Sequence, residues 1–256
     1  MSENISTETR DRVRVIRISR PERKNALTQE MYDALADALL AAAGDDEARV
    51  VLLAGTDGCF TSGNDIASFL SAPPLSGEDN PVRRFMLALA ECPKPVLAAV
   101  TGPAIGVGAT LLLHCDLVYA GDSARIQFPF VNLGICPEFA SSFILPRLMG
   151  HQRAAELILF GEPFGADRAV ELGIANEVLV DADVERRAME RARTLAAGPP
   201  QTLRTAKSLL KRWDGDRTTE IIDAEGEELN TLLNGPEARE AITAFSEKRK
   251  PDFSSF

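Results

Sequence analysis

Apolar positions along the chain fall into two patterns. Val50–Ala54 and Val96–Val100 are unbroken apolar runs bounded by turn residues, and runs this short predict strands covered on both faces. Residues 12–19 differ, because Val13 and Val15 alternate with charged residues before Ile16 and Ile18. That pattern predicts a strand with one solvated face, and the parity slip at Val15 and Ile16 predicts a bulge or twist. Thr28 stands as an N-cap for a helix carrying Met31, Leu35, Leu39 and Leu40 on one side. Pro81 opens a second helix running to Cys92, and residues 116–120 form another strand. Beyond Phe130 helical spacing takes over, at 139–145, 151–160, 166–172, 184–197, 202–213, 218–233 and 237–248, interrupted only by a strand at 177–180. Strands alternating with helices imply parallel pairing with right-handed crossovers, hence an α/β fold. The breaker Gly198-Pro199-Pro200 divides a core of residues 1–198 from a helical region of residues 199–256. The Pro- and Ser-rich residues 71–80 have the composition of a loop that covers a site.

The centre of this pattern is PVLAAVTGPAIGVGATLLLHCD, residues 95–116. It reads as buried strand, glycine turn and buried helix, with Leu111 to Leu113 too apolar to face solvent. Gly102, Gly106 and Gly108 permit close backbone approach. A helix opening at such a turn aims unpaired N–H groups into whatever cleft lies above the sheet. Those donors suit a phosphate or an oxyanion formed during reaction. Neither GxGxxG nor GxxxxGK[ST] is present, which weighs against phosphate. Glycines serving only tight strand-to-helix packing remain the simpler alternative.

Composition narrows the classes. The chain has 256 residues, 45% of them hydrophobic, and a formal charge of -10. Its length supports a substantial core, and its acidity argues against nucleic-acid or acidic-membrane partners. Cys59, Cys92, Cys115 and Cys136 form no CxxC pair, and only His114 and His151 are available beside them, so reduced packing cysteines are expected and no metal site. No apolar segment approaches a membrane span or a signal core, and a cytoplasmic location is expected.

RPERKNALT, CFTSGNDI, GPAIGVGATLLLHCDLVYAG, VNLGICPE and FSEKRKPDF, in this order and over nearly the whole chain, resemble the stations of the crotonase superfamily, the enoyl-CoA hydratase/isomerase family. The resemblance implies a spiral core of repeated ββα units, a helical C-terminal region that trimerises, and acyl-CoA thioester substrates without a separate cofactor. A homotrimer or a dimer of trimers is the implied assembly.

By the same resemblance, the backbone N–H groups of Asn64 and Val107 form an oxyanion hole. Relatives that hydrate enoyl-CoA use two glutamates, and the matching positions here are Thr110 and Phe130, neither of which can act as a base. Glu138 stands instead where peroxisomal-type Δ3,Δ2-enoyl-CoA isomerases carry a single catalytic glutamate, and SGND at residues 62–65 has the form of that subgroup. A Glu after a Pro is ordinarily a solvated first-turn carboxylate; the family match favours catalysis. Ser62, Gly63, Asp65, Ile66, Gly106 and Phe130 are implied to wall the thioester. Asp65 is equally suited to capping the helix after it. Arg23, Lys24 and Ala26 match the segment bordering the CoA adenine, and Phe245 and Lys248 match a tail that reaches CoA, often from a neighbouring subunit. His114, on an apolar helix, reads as a packed residue. The remaining alternatives are another crotonase reaction, such as hydration or thioester hydrolysis, and a non-catalytic binding protein that keeps the fold.

Overall fold

The computed structural model describes residues 2–56, 58–66, 68, 73–75, 77, 80–212 and 215–256. Six strands form the main sheet: β1 (Ile5–Arg10), β2 (Val13–Ile18), β3 (Val50–Ala54), β4 (Val96–Val100), β6 (Leu117–Gly121) and β9 (Glu177–Leu179), in that spatial order. β1 and β2 are an antiparallel hairpin and every later pairing in this sheet is parallel. A second sheet holds β5 (Pro103–Ile105), β7 (Arg125–Gln127) and β8 (Phe164–Gly165), of which β7 and β8 pair antiparallel. β4 and β5, then β6 and β7, each place one strand in each sheet before the chain turns into helical structure. This is the ββα repeat as built.

Two clusters of side chains bury the main sheet. Val13, Val15, Val50, Leu52 and Leu97 pack against Val184, Ala188 and Ala192 of α7 (Asp181–Ala196). Ile16, Ile18, Val51, Leu53 and Ala98 pack against α1 (Gln29–Gly44) and α2 (Pro81–Ala90). β2 therefore has no solvated face, which corrects the expectation for residues 12–19. Its change of parity marks the handover from one cluster to the other, and pairing with β1 runs in unbroken register from Ile5 with Ile18 to Arg10 with Val13, without a bulge. Thr28 caps α1 by accepting from Met31 N at 3.4 Å, and Asn80 caps α2 by accepting from Val82 N at 2.8 Å.

Other expectations need correction. Strand β5 intervenes in the glycine turn, and beyond it the chain makes a single α-helical turn, α3 (Val107–Thr110), before passing into 3-10 helix at Leu111–His114. Leu113 is partly exposed rather than enclosed. β1 and β8 had no strand reading, because their residues lack apolar alternation. The helices α4 (Ser141–Met149), α5 (His151–Phe160), α6 (Ala166–Glu171), α8 (Pro200–Lys211), α9 (Gly215–Leu233) and α10 (Pro236–Ser246) stand near their expected places. The reading of residues 71–80 as a covering loop, and the helix end at Trp213, fall largely outside the described residues. α9 packs back onto its own chain: Ile222 and Leu229 join the same core cluster as α1. α8 does not, and leaves Leu210 84% exposed with Leu209 beside it.

Candidate active site

Two backbone segments are laid side by side above the end of β4. Thr61 N donates to Pro103 O at 2.9 Å and Ile105 N to Thr61 O at 3.1 Å, so residues 61–64 run parallel to β5. The approach is too close for side chains. A Cβ at Gly63 (φ +91°) would lie 2.7 Å from Ile105 O, and one at Gly108 would lie 2.6 Å from Thr61 Cγ2. The two N–H groups assigned to the oxyanion hole sit on these segments. Among the described residues, neither Asn64 N nor Val107 N donates to a protein acceptor. Val107 opens α3, where an N–H has no intrahelical partner, and its side chain is directed into the core, fully buried.

Glu138 is brought to the same region by a short irregular segment. It is only 4% exposed, and Phe139 and Ala140 after it hold positive φ angles of 60° and 54°. Two successive non-glycine residues in that region cost about 1–3 kcal/mol each and persist only where the surroundings enforce them. Here Phe139 is clamped from two sides. His114 stacks on it with centroids 3.9 Å apart and places Nε2 2.8 Å from Phe139 O; Phe85 meets it edge-on at 6.0 Å. His114 is the packed residue that its apolar helix implied. Burial holds its pKa down at about 3, despite the bond to Phe139 O. It is neutral.

Among the described residues, no cation is paired with the Glu138 carboxyl. Oε1 is buried and has no hydrogen-bond partner, one of two such side-chain atoms among the described residues. Burial, reinforced by the Glu225 carboxylate, pushes its pKa up to about 8. α4 begins only at Ser141, so Glu138 lies outside the helix start that would have lowered it. Desolvation wins. Across from Glu138 the Tyr32 phenol, raised by burial and by Glu138, donates to the Asn64 side chain and packs on Phe85 at 5.5 Å. Tyr32 thus ties the glutamate side of the site to the Asn64 side.

The other residues expected at the site divide between its walls and the surface. Asp65 accepts from Arg20 Nη1 at 2.9 Å and from Ser68 N at 3.2 Å, so its carboxylate is engaged in an ion pair and a cap. Thr110 is buried, with its hydroxyl turned back to Val107 O at 3.3 Å, and Phe130 is core. Arg23 and Lys24 are exposed and Ala26 is half-buried in one turn, whose Lys24 O accepts from Ser62 N at 3.0 Å. Ser62 and Ile66 are half-buried between that turn and the site. Phe245 is 63% exposed near the end of α10 and Lys248 is exposed just beyond it. Within one chain, neither is gathered to Glu138. Cys136 donates to Glu225 O at 3.6 Å, and burial with Glu225 pushes its thiol up to about 11. A cleft of about 700 Å³ opens elsewhere, among α2, α4 and α8, lined by Cys92, Phe143, Arg147, Arg204, Lys207 and Lys211; neither Glu138, Asn64 nor Val107 contributes to it.

Sequence reasoning missed Tyr32 and Glu225. Tyr32 lies hidden within the apolar stripe of α1. Glu225 carried a readable signal: Ile222, Glu225, Gly226 and Leu229 share one face of α9, so a carboxylate sits on the stripe that the core must cover. Its pKa is raised to about 7 by burial, against the opposing pull of Ser142 and Ala140.

The chain belongs to the enoyl-CoA hydratase/isomerase family, whose pattern it matches over residues 8–255. It is 33% identical over 236 residues to human enoyl-CoA delta isomerase 2, covering 90% of this chain and 59% of that protein, so it spans about three fifths of that relative's length. It is also 33% identical to 1,2-epoxyphenylacetyl-CoA isomerase of Escherichia coli, over 99% of each chain. The solved structure of Pseudomonas aeruginosa OdaA superposes with a TM-score of 0.92 at 49% identity, covering 95% of this chain and 99% of that one. The crotonase-like fold with its helical C-terminal region is therefore shown.

Proposed function

We propose that the protein converts 3-enoyl-CoA to trans-2-enoyl-CoA, with Glu138 as sole acid/base and the N–H groups of Asn64 and Val107 as the oxyanion hole. The observation that carries this reading is the buried Glu138 carboxyl, with Oε1 unpartnered and a pKa near 8. A buried acid without a partner costs stability, and groups so perturbed concentrate at functional sites. A base poised near neutrality matches proton abstraction next to a thioester. In this mechanism Glu138 takes the α proton, the thioester oxygen gains charge against the two N–H donors, and Glu138 returns the proton to the γ carbon of the dienolate. Each donor contributes about 3 kcal/mol of transition-state stabilisation. One carboxylate is enough because removal and return occur on one face. Hydration would need a second acid/base group, and Thr110 and Phe130 supply none.

The test is an assay of the purified protein on 3-enoyl-CoA, 2-enoyl-CoA and saturated acyl-CoA. Turnover of the first alone is expected; hydration of the second, or hydrolysis of the third, at a higher kcat/KM would replace this reading with another reaction of the family.

The assembly proposed with it is a trimer, or two trimers paired, in which the exposed Leu209 and Leu210 of α8 are covered and Phe245 and Lys248 reach CoA on a neighbouring copy. Ile222 and Leu229 are excluded from that contact, being buried in their own chain. Light scattering at three or six times 27.7 kDa is expected; a stable monomer with full activity would contradict it.

A further inference from the structure

Glu225 touches the active-site segment without being part of the assigned machinery. Its two carboxylate oxygens accept from Ala140 N at 2.6 Å, from Ser142 N at 3.0 Å and from the Ser142 hydroxyl. These groups begin α4 and end the left-handed turn at Phe139 and Ala140 that carries Glu138. Within the segment Ser141 N closes the turn by donating to Glu138 O at 3.1 Å, but no group there accepts from Ala140 N or Ser142 N. Ala140, as N-cap, has no side-chain acceptor, and Ser141 Oγ donates to Glu138 O at 2.7 Å rather than capping the helix. The acceptor is supplied from 85 residues away.

We infer that Glu225 is the positioning residue of Glu138: it fixes the turn that presents the acid/base and, by its own charge, adds to the opposition that burial sets against the Glu138 carboxylate. The inference rests on the proposed role of Glu138. The titratable groups facing Glu138 are Glu225 from α9, the Tyr32 phenol from α1 and the Cys136 thiol from its own segment, while His114 beneath Phe139 is neutral. Glu225 in turn faces Glu138, Cys136 and Ser142, with Glu228 further along α9; Asp223 on the same helix is paired with Arg83 of α2 at 2.6 Å. No cation stands between the two carboxyls in this set. Two acids so placed titrate as a coupled pair, and the negative charge of one holds the proton on the other. A glutamate at this point thus has two separable effects, one geometric and one electrostatic.

Two substitutions separate them. Glu225→Gln keeps an amide oxygen for Ala140 N or Ser142 N but removes the charge; Glu225→Leu removes both. The full-length variants are examined by NMR of 13C-labelled glutamate carboxyls over pH, with Glu138→Gln to assign its signal, and by kcat and KM on 3-enoyl-CoA. In Glu225→Gln the apparent pKa of Glu138 is expected to fall by about one unit, and the acidic limb of kcat/KM by the same amount. In Glu225→Leu, kcat is expected to drop about tenfold to a hundredfold with KM little changed, because the turn loses its acceptor. A Glu138 titration unchanged in Glu225→Gln overturns the inference, and so does an undiminished kcat in Glu225→Leu. Should Glu225→Leu fail to fold, the glutamine variant alone decides. If the wild-type protein does not turn over 3-enoyl-CoA, the carboxyl titration still reports the coupling. Loss of the isomerase reading is thereby kept apart from loss of this one.

Discussion

The core contains two clusters of buried ionisable side chains, built in opposite ways. Around Lys94 the buried ammonium groups have hydrogen-bond partners. Lys94 Nζ donates to Ala42 O at 2.5 Å and Asp45 O at 2.6 Å, closing the carbonyl end of α1, and Lys207 Nζ joins Lys94 O at 2.7 Å to Asp116 Oδ2 at 2.6 Å. Asp116 also accepts from Val96 N at 2.7 Å, at the start of the central strand. Around Glu138 two carboxyls share one region with no cation among the described residues to balance them, and one oxygen has no partner among those residues. Buried charges that are paired and hydrogen-bonded hold elements together; buried acids left uncompensated change their ionisation instead. The first cluster ties α1, β4 and α8 into one unit. The second holds a proton on a buried carboxyl at neutral pH.

Breaking the satisfied cluster should cost the most stability. Lys94→Met removes two charge-assisted bonds and leaves Ala42 O at the end of α1 unpaired, while Asp45 O keeps Ala48 N at 3.1 Å; the expected loss is about 3 kcal/mol. Chemical denaturation measures it, and the activity of the remaining folded protein should not change. Gly63→Ala comes next. It forces a Cβ against Ile105 O at a position with φ +91°, at an expected cost of about 1–3 kcal/mol. Because the same residue sets the approach of Asn64, kcat should fall about a hundredfold. Equal loss of stability with an unchanged rate would show that the two segments need not be held so close.

A smaller effect sharpens the contrast through pH. In the folded chain Glu138 and Glu225 have pKa values near 8 and 7, above their ordinary value of 4.5. The folded state therefore binds protons that the unfolded chain releases. Stability associated with these groups is greatest below about pH 4.5 and declines as pH rises through 8, with a slope of up to about 1.4 kcal/mol per pH unit for each proton held only by the folded state. The slope of unfolding free energy between pH 5 and pH 8.5 should be reduced in Glu138→Gln. A slope identical in the two proteins would mean that the carboxyl is not held protonated.

Much of this was legible from residue order, for reasons that differ between elements. Val50–Ala54 and Val96–Val100 announced themselves because a strand covered on both faces has no polar positions. β5, β7 and β8 are two or three residues long and belong to a sheet formed only when distant segments meet, so no local period marks them. Residues 12–19 misled because burial there switches between two clusters that the local pattern cannot distinguish from solvent. At the site, Glu138 and the glycines at 63, 106 and 108 were readable from motifs. The raised pKa of Glu138 was not, since it arises from burial and then from Glu225, which only the fold brings to it. The helical spacing over 218–233 was seen, but not that Ile222 and Leu229 on it would join the core of their own chain.

The central claim, that the uncompensated carboxyl of Glu138 performs the proton transfer, is tested most directly by Glu138→Gln. The variant keeps the volume and removes the ionisable group. Turnover of 3-enoyl-CoA should fall by about two to four orders of magnitude, while calorimetric affinity for an acyl-CoA ester stays within about threefold of wild type, since uniform binding is untouched. A variant that retains wild-type turnover with intact binding would contradict the account, and would direct attention to some other base.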